Sequence, residues 1–167
     1  MIETELKIHI WPDRMLRRRC KKVKDLFSLK DIFDKMYKIM KEKGVKVLAA
    51  NQIGLDIACL IVEAKDTLFR LVNPSIIKRE GSRWGEEDCL SFPYLRLRIK
   101  RAENIWINFW DERGNQLDME AEKDLALLFQ HGIDHLNGIL FIDRVPFVKR
   151  IFLRDYFKNL KENGMPQ

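Results

Sequence analysis

The stretch Gln130-His131-Gly132-Ile133-Asp134-His135 decides how this chain is read. Two histidines four residues apart lie on one face of a helix, about one turn apart, so both imidazoles reach a single cation. The chain has only three histidines. A pair at this spacing also suits two structural histidines. The third, His9, is isolated in an apolar N-terminal segment and reads as structural. Upstream, Glu87-Asp88-Cys89-Leu90-Ser91 offers a thiolate as a third ligand from a strand or loop. In a helix built to activate water, the residue after the first His is Glu. Here it is Gly132. The frame of a metallohydrolase is present, and its usual proton carrier is missing.

Composition bounds the alternatives. The chain has 167 residues, 46% apolar and 34% charged, an ordinary globular mixture that reads as one domain over 1–167. The longest apolar runs are short, such as Ile57 to Val62, far below the roughly 20 residues of a membrane span. No membrane partner is therefore expected. Acids and no apolar stretch open the N-terminus, unlike a secretory leader. Three cysteines at distant positions 20, 59 and 89 make no disulfide framework and fit a reduced, cytoplasmic setting. Much of the +6 net charge comes from Arg14, Arg17, Arg18, Arg19, Lys21, Lys22 and Lys24. That face is either simply solvated or drawn to a polyanion such as ribosomal RNA. It carries no aromatic interleaving.

Periodicity places the elements. Residues 29–42 read as a helix, with Ile32, Phe33, Met36, Ile39 and Met40 at helical spacing and Gly44 as the stop. Residues 58–62 and 68–72 read as strands, the second ending at Asn73-Pro74. From Leu95 to Lys100 the alternation is strict, with Leu95, Leu97 and Ile99 on one face and Arg96, Arg98 and Lys100 on the other. Asn104 to Trp110 also alternates, and 111–115 form a turn into a partner strand. Residues 120–136 read as the metal helix, with Gly138 to end it. Pro146 opens a final helix to about Leu160, with Ile151, Phe152, Tyr156 and Phe157 for packing. Strands first and a metal-bearing helix later indicate an α+β fold.

Three segments together resemble one known family. Glu87 to Pro93 resembles the Glu-Gly-Cys-Leu-Ser segment of peptide deformylases, and Gln130 to His135 resembles their Gln-His-Glu-x-Asp-His helix. Ala49-Ala50-Asn51-Gln52 looks like the end of their Gly-x-Gly-x-Ala-Ala-x-Gln stretch. Pro12-Asp13 with Leu16-Arg17, Val72-Asn73-Pro74 and His135 to Arg144 extend the likeness over nearly the whole chain. The resemblance implies antiparallel sheets around the metal helix. It implies one divalent metal, iron in the cell with zinc, nickel or cobalt as substitutes, held by Cys89, His131 and His135. It implies removal of the formyl group from the N-terminal formyl-methionine of nascent polypeptides in a bacterial cytoplasm or organellar matrix. It makes Gln52 and the Leu90 backbone N–H donors to the formyl oxygen, an oxyanion hole. It leaves Glu87, Arg96 and Asp134 as groups that orient the ligands, or as ordinary ion pairs.

The departures from the family pattern fall at the reacting centre. Gly132 replaces the Glu that carries the proton, a role worth about 10²–10⁴ in rate. Asp88 replaces the Gly before the Cys ligand and offers a carboxylate as a displaced base, unless it points to solvent. Val45 and Val47 stand where the family has two Gly, unless one residue is inserted after Gly44, and Cβ atoms there would narrow or reshape the cleft. A methionine-sized pocket beside the metal is expected from Phe129 or Leu128. Three functions follow in order: an impaired or altered deformylase, an inactive protein that binds metal and peptide N-termini, and a ribosome- or RNA-associated protein with a structural metal. On this reading Gly132→Glu restores turnover and firms the helix as well.

Purified protein is expected to carry one divalent metal per chain by elemental analysis, and His135→Ala to lose it. A metal content near zero after loading, or one indifferent to His135→Ala, would refute the ligand set.

Overall fold

A computed structural model describes residues 6–26 and 28–163. The N-terminal residues on which the absence of a leader was read lie mostly outside that range. Helix α1 spans Lys30–Lys43 and ends at Gly44. The left-handed backbone there (φ 66°) brings the Gly44 N–H back to Lys41 and Met40 carbonyls. Strands β1 (Val47–Ala49), β2 (Cys59–Ala64), β3 (Thr67–Glu80), β6 (Asn104–Trp110) and β7 (Gln116–Glu122) form an antiparallel sheet of order β1-β2-β3-β6-β7. Strands β4 (Arg83–Cys89) and β5 (Phe92–Arg101) form a separate hairpin. Helix α2 covers Lys123–Leu136, and α3 (Phe147–Ile151) and α4 (Arg154–Asn163) close the described chain. The α+β class and the antiparallel sheets around a central helix agree with the sequence reading.

Period-two alternation on β2 divides the core. Leu60 and Val62 point to α2, where Ala126, Phe129, Ile133 and Leu136 meet Leu71, Ile105 and Ile107. Cys59 and Ile61 point the other way, to Phe33, Met36 and Met40 of α1. A third cluster joins Leu16, Cys89, Phe92, Leu95 and Ile99 to Leu140, Phe141 and Ile142. Helix α2 is thus wedged between the large sheet and the β4–β5 hairpin. Every residue from Phe129 to Leu136 is buried, which is the pattern of a helix packed on all sides.

Three expectations about the elements are corrected. Asn73-Pro74 does not end β3. A register shift between Val72 and Ser75 and a left-handed Asn73 absorb the proline, and pairing with β6 resumes. Residues 120–122 belong to β7, and α2 starts at Lys123. The reversal is made by Lys123 in left-handed backbone (φ 53°), its N–H donating to the Glu103 carbonyl, a tertiary contact with no local sequence signal. The last helix is two, broken at Phe152–Leu153. Tyr156 and Phe157 pack as expected, whereas Ile151 and Phe152 face solvent. Cys89, which the sequence left on a strand or a loop, ends β4, a full strand paired along its length with β5.

Phe129 lies at the centre of the packing, fully buried with its ring edge-on to Phe69 at 5.5 Å between centroids. Phe129→Ala is expected to lower stability by about 3–5 kcal/mol, read as a lower urea midpoint. A loss under about 1 kcal/mol would mean that α2 is not anchored by this contact.

Candidate metal centre

The β4 strand alternates inward and outward, so Glu87 and Cys89 face α2 while Asp88 faces away. The Leu90–Ser91 turn follows directly. On α2, successive residues are rotated by ~100°, which puts His131 and His135 on the side toward the hairpin. Ligand atoms of Cys89, His131 and His135 lie within 4.8 Å of one another, and all three residues are buried. The Cys89 Sγ is 3.2 Å from His135 Nε2. A thiolate with two imidazole nitrogens at this spacing suits a divalent metal with room for a further ligand.

The protonation states agree with that role. Burial would push the Cys89 thiol up, but the imidazoles of His135 and His131 reverse this and hold it at about 5. Burial would likewise lower His131, but its bonds to Cys89 and Glu87 raise it to about 10. The pair is therefore thiolate and imidazolium at neutral pH. Cys20 and Cys59, pushed up to about 11 and about 12 chiefly by burial, stay as inert thiols.

His131 Nδ1 bonds Glu87 Oε2 at 2.8 Å, which leaves Nε2 for the metal. Glu87 in turn accepts a forked pair from Arg101 at 2.5 and 2.9 Å. Arg101 also donates to Asp134 at 2.6 Å, and Arg144 grips both oxygens of Asp134 at 2.7 and 3.0 Å. Burial opposes the charge on Glu87, but Arg101 and His131 hold its carboxyl at about 2. Glu87 bonds the candidate ligand His131, and Asp134 joins that network through Arg101. Arg96, read as an orienting group or an ordinary ion pair, is the latter in this arrangement: two-thirds exposed, it faces Glu86 and Asp88 at the surface. The bracing arginine is Arg101, which sequence reasoning missed. The signal was there, since Leu95, Leu97 and Ile99 face inward and Arg101 is the next inward position of the same strand.

Gln52 lies on a short 3₁₀ turn, Ala50–Ile53, after β1. Its Oε1 accepts from the Ala49 N–H, which turns Nε2 toward Cys89 Sγ (3.4 Å) and Ser91 Oγ (3.3 Å). The amide donor therefore faces the ligand cluster. His9 is apart from it, paired with Asp13 at 2.7 Å. Val45 and Val47 are half-buried and pack into the cores on either side of the large sheet. Asp88 is no displaced base in this arrangement. Its side chain is 69% exposed, near Arg96, on the strand face opposite Cys89.

Position 132 holds the main correction. At ~100° from His131 it lies between the ligand side of α2 and the side that meets the sheet. A Cβ built there would fall 2.9 Å from Leu60 Cδ2 and 3.1 Å from Leu60 Cγ, and closer still to Cδ1. Leu60 is fully buried in the core between α2 and the sheet. The room for a side chain at 132 is filled, so the gain in helix propensity expected for Gly132→Glu is opposed by overpacking. The pocket expectation is corrected similarly. Phe129 points into the sheet, and Leu128 packs against the same core. Leu127, one turn before His131, instead lies over Gly85 of β4, where an added Cβ would collide with it.

A buried thiolate and two imidazoles, one fixed by a carboxylate, with an amide donor turned toward them, define a metallohydrolase type of centre. The polypeptide deformylase family model matches residues 5–150. A peptide deformylase from Thermodesulfovibrio yellowstonii is 35% identical over 162 residues, covering 93% of this chain and 98% of that protein. One from Aquifex aeolicus is 36% identical over 166 residues, covering 92% and 96%. The crystal structure of peptide deformylase from Thermus thermophilus superposes with a TM-score of 0.85 at 36% identity, covering 92% of each chain. A plant peptide deformylase structure reaches 0.89 at 29% identity, covering 100% of this chain and 97% of its own. The chain belongs to the peptide deformylase family.

Because His131 holds a proton up to about pH 10 and Cys89 loses its own near pH 5, metal loading between these limits must expel the His131 proton. Zinc titrations at pH 7 in buffers of different ionisation enthalpy are expected to show release of about one proton, with affinity rising as pH rises. Proton-neutral binding would contradict the thiolate–imidazolium pair.

Proposed function

We propose that this chain is a metal-dependent peptide deformylase of weakened turnover, acting on the formyl group of N-terminal formyl-methionine in nascent polypeptides. The carrying observation is the buried Cys89, His131 and His135 cluster with the Gln52 amide directed at it. A divalent metal held there, iron in the cell with zinc, nickel or cobalt as substitutes, supplies Lewis acidity toward a carbonyl oxygen and acidifies water. Gln52 Nε2 and the Leu90 N–H donate to the formyl oxygen as charge develops on it. Leu127, on the ligand side of α2, supplies an apolar wall for a methionine-sized side chain. Glu87 and Arg101 keep His131 in the tautomer that binds through Nε2. At position 132 no carboxylate stands to move a proton to the departing amine.

The reading takes residues 1–167 as one domain working in a bacterial cytoplasm or organellar matrix. No helix among the described residues is long and apolar enough to cross a membrane. The basic face from Arg14 to Lys24 fits contact with the ribosome. A second reading, an inactive protein that holds metal and a peptide N-terminus, is favoured by Leu60, because the space beside the missing carboxylate is filled by the core.

Turnover of a formyl-methionyl peptide by metal-loaded variants separates the two. The unmodified chain is expected to be slow. Gly132→Glu alone is expected to lose about 1–3 kcal/mol of stability by overpacking and to gain little activity. Gly132→Glu with Leu60→Ala makes room for the side chain and is expected to raise turnover at least about tenfold, a fraction of what a proton carrier is worth. A folded, metal-loaded double variant that stays inert favours the inactive binder. An unmodified chain running at about 1–10³ per second shows that another group carries the proton.

A further inference from the structure

Behind the metal centre, at the seam between the two sheets, lies a cavity of about 290 Å³. Its walls include Arg79 of β3, Ser82 of the β3–β4 turn, Lys100 and Arg101 of β5, Asp134 of α2, and Arg144. Four cationic residues and one acidic residue thus line a single space. The carboxylate is already committed, since Asp134 accepts from both Arg101 and Arg144. Arg101, with only 3% of its side chain exposed, also donates twice to Glu87. Among the described residues, neither Arg79 nor Lys100 has an ion-pair or hydrogen-bond partner. The contrast with nearby cations is local: Lys78 reaches Glu80, Arg83 reaches Asp124 and Arg70 reaches Asp34 and Glu112.

We propose that this cavity is a binding site for a phosphate group, held between Arg79, Lys100 and Arg144 with the Ser82 hydroxyl. The uncompensated positive charge calls for an anion. The geometry selects its shape. The three cations stand on three different elements around the space, so one anion must present oxygens in several directions at once. A tetrahedral phosphate does so, whereas a planar carboxylate serves one fork. Occupation would also bridge β3 of the large sheet to β5 of the hairpin.

The test uses the full chain loaded with zinc and a phosphate titration at constant ionic strength, with chloride as the balancing anion. Calorimetry and thermal unfolding are expected to show one saturable site and a rising Tm, because a ligand that binds only the folded state stabilises it. Arg79→Ala and Lys100→Ala, both at exposed positions, are each expected to weaken binding at least about fivefold, and the double variant to abolish it. Lys158→Ala, on exposed α4 surface, is expected to change nothing. Should either alanine variant fail to fold by circular dichroism, Arg79→Gln and Lys100→Gln replace it and carry the same expectation. A parallel titration with a 5′-nucleoside monophosphate identifies the source: tighter binding than inorganic phosphate assigns the site to a nucleotide, and equal or weaker binding to free phosphate. A non-saturable effect, or one unchanged in the double variant, would show only general screening of a basic protein and would overturn the site. None of these readouts uses deformylation, so the outcome is independent of the proposed activity.

Discussion

The ion chain His131–Glu87–Arg101–Asp134, buried and capped at the surface by Arg144, is the constraint on which the rest of the structure depends. Charged groups this deep are costly unless each one is paired and hydrogen-bonded, and here each buried member has a charged partner. The chain runs from the hairpin to α2 and on to the segment after α2. It therefore fixes how the hairpin sits on the helix, and with that the distance from Cys89 to the two histidines. The same bonds fix the ring orientation of His131. Removing one member would leave its neighbour buried and unpaired, a larger loss than the bond itself represents.

Helix α2 carries chemistry on one side and core on the other, and the two sides are only a residue apart. His131 faces the hairpin, while its neighbour at 132 turns toward Leu60. A change of side chain at 132 is therefore a change in core packing. Gly132 lets α2 and β2 approach closely, and Leu60 takes up the space that results. In a close-packed interior neither can change without the other.

The inward strand pattern carries a similar lesson about arginine. Arg96 and Arg101 lie on one strand, and a reading by proximity to Cys89 selects the first. Strand geometry selects the second, because Arg101 continues the inward series of Leu95, Leu97 and Ile99. The outward series places Arg96 beside Asp88 in solvent. Asp88 is excluded as a proton carrier in this arrangement by the same rule that makes Glu87 and Cys89 inward partners.

What the sequence determined by itself was local. Periods of 3.6 and 2 marked α1, β6 and the inward face of β5, and the i, i+4 histidines with Cys89 marked the metal centre, because such patterns need only short stretches of regular backbone. Gln52, Glu87 and Asp134 were legible through the motifs around them. Tertiary structure decided the rest. The start of α2 depends on a left-handed Lys123 bonded to Glu103, and the passage of β3 through Pro74 depends on its register with β6. The exposure of Ile151 and Phe152, the inward turn of Phe129 and the filling of position 132 by Leu60 depend on which faces meet across the fold. Those contacts join residues tens of positions apart, and no local pattern encodes which of two apolar faces will find a partner.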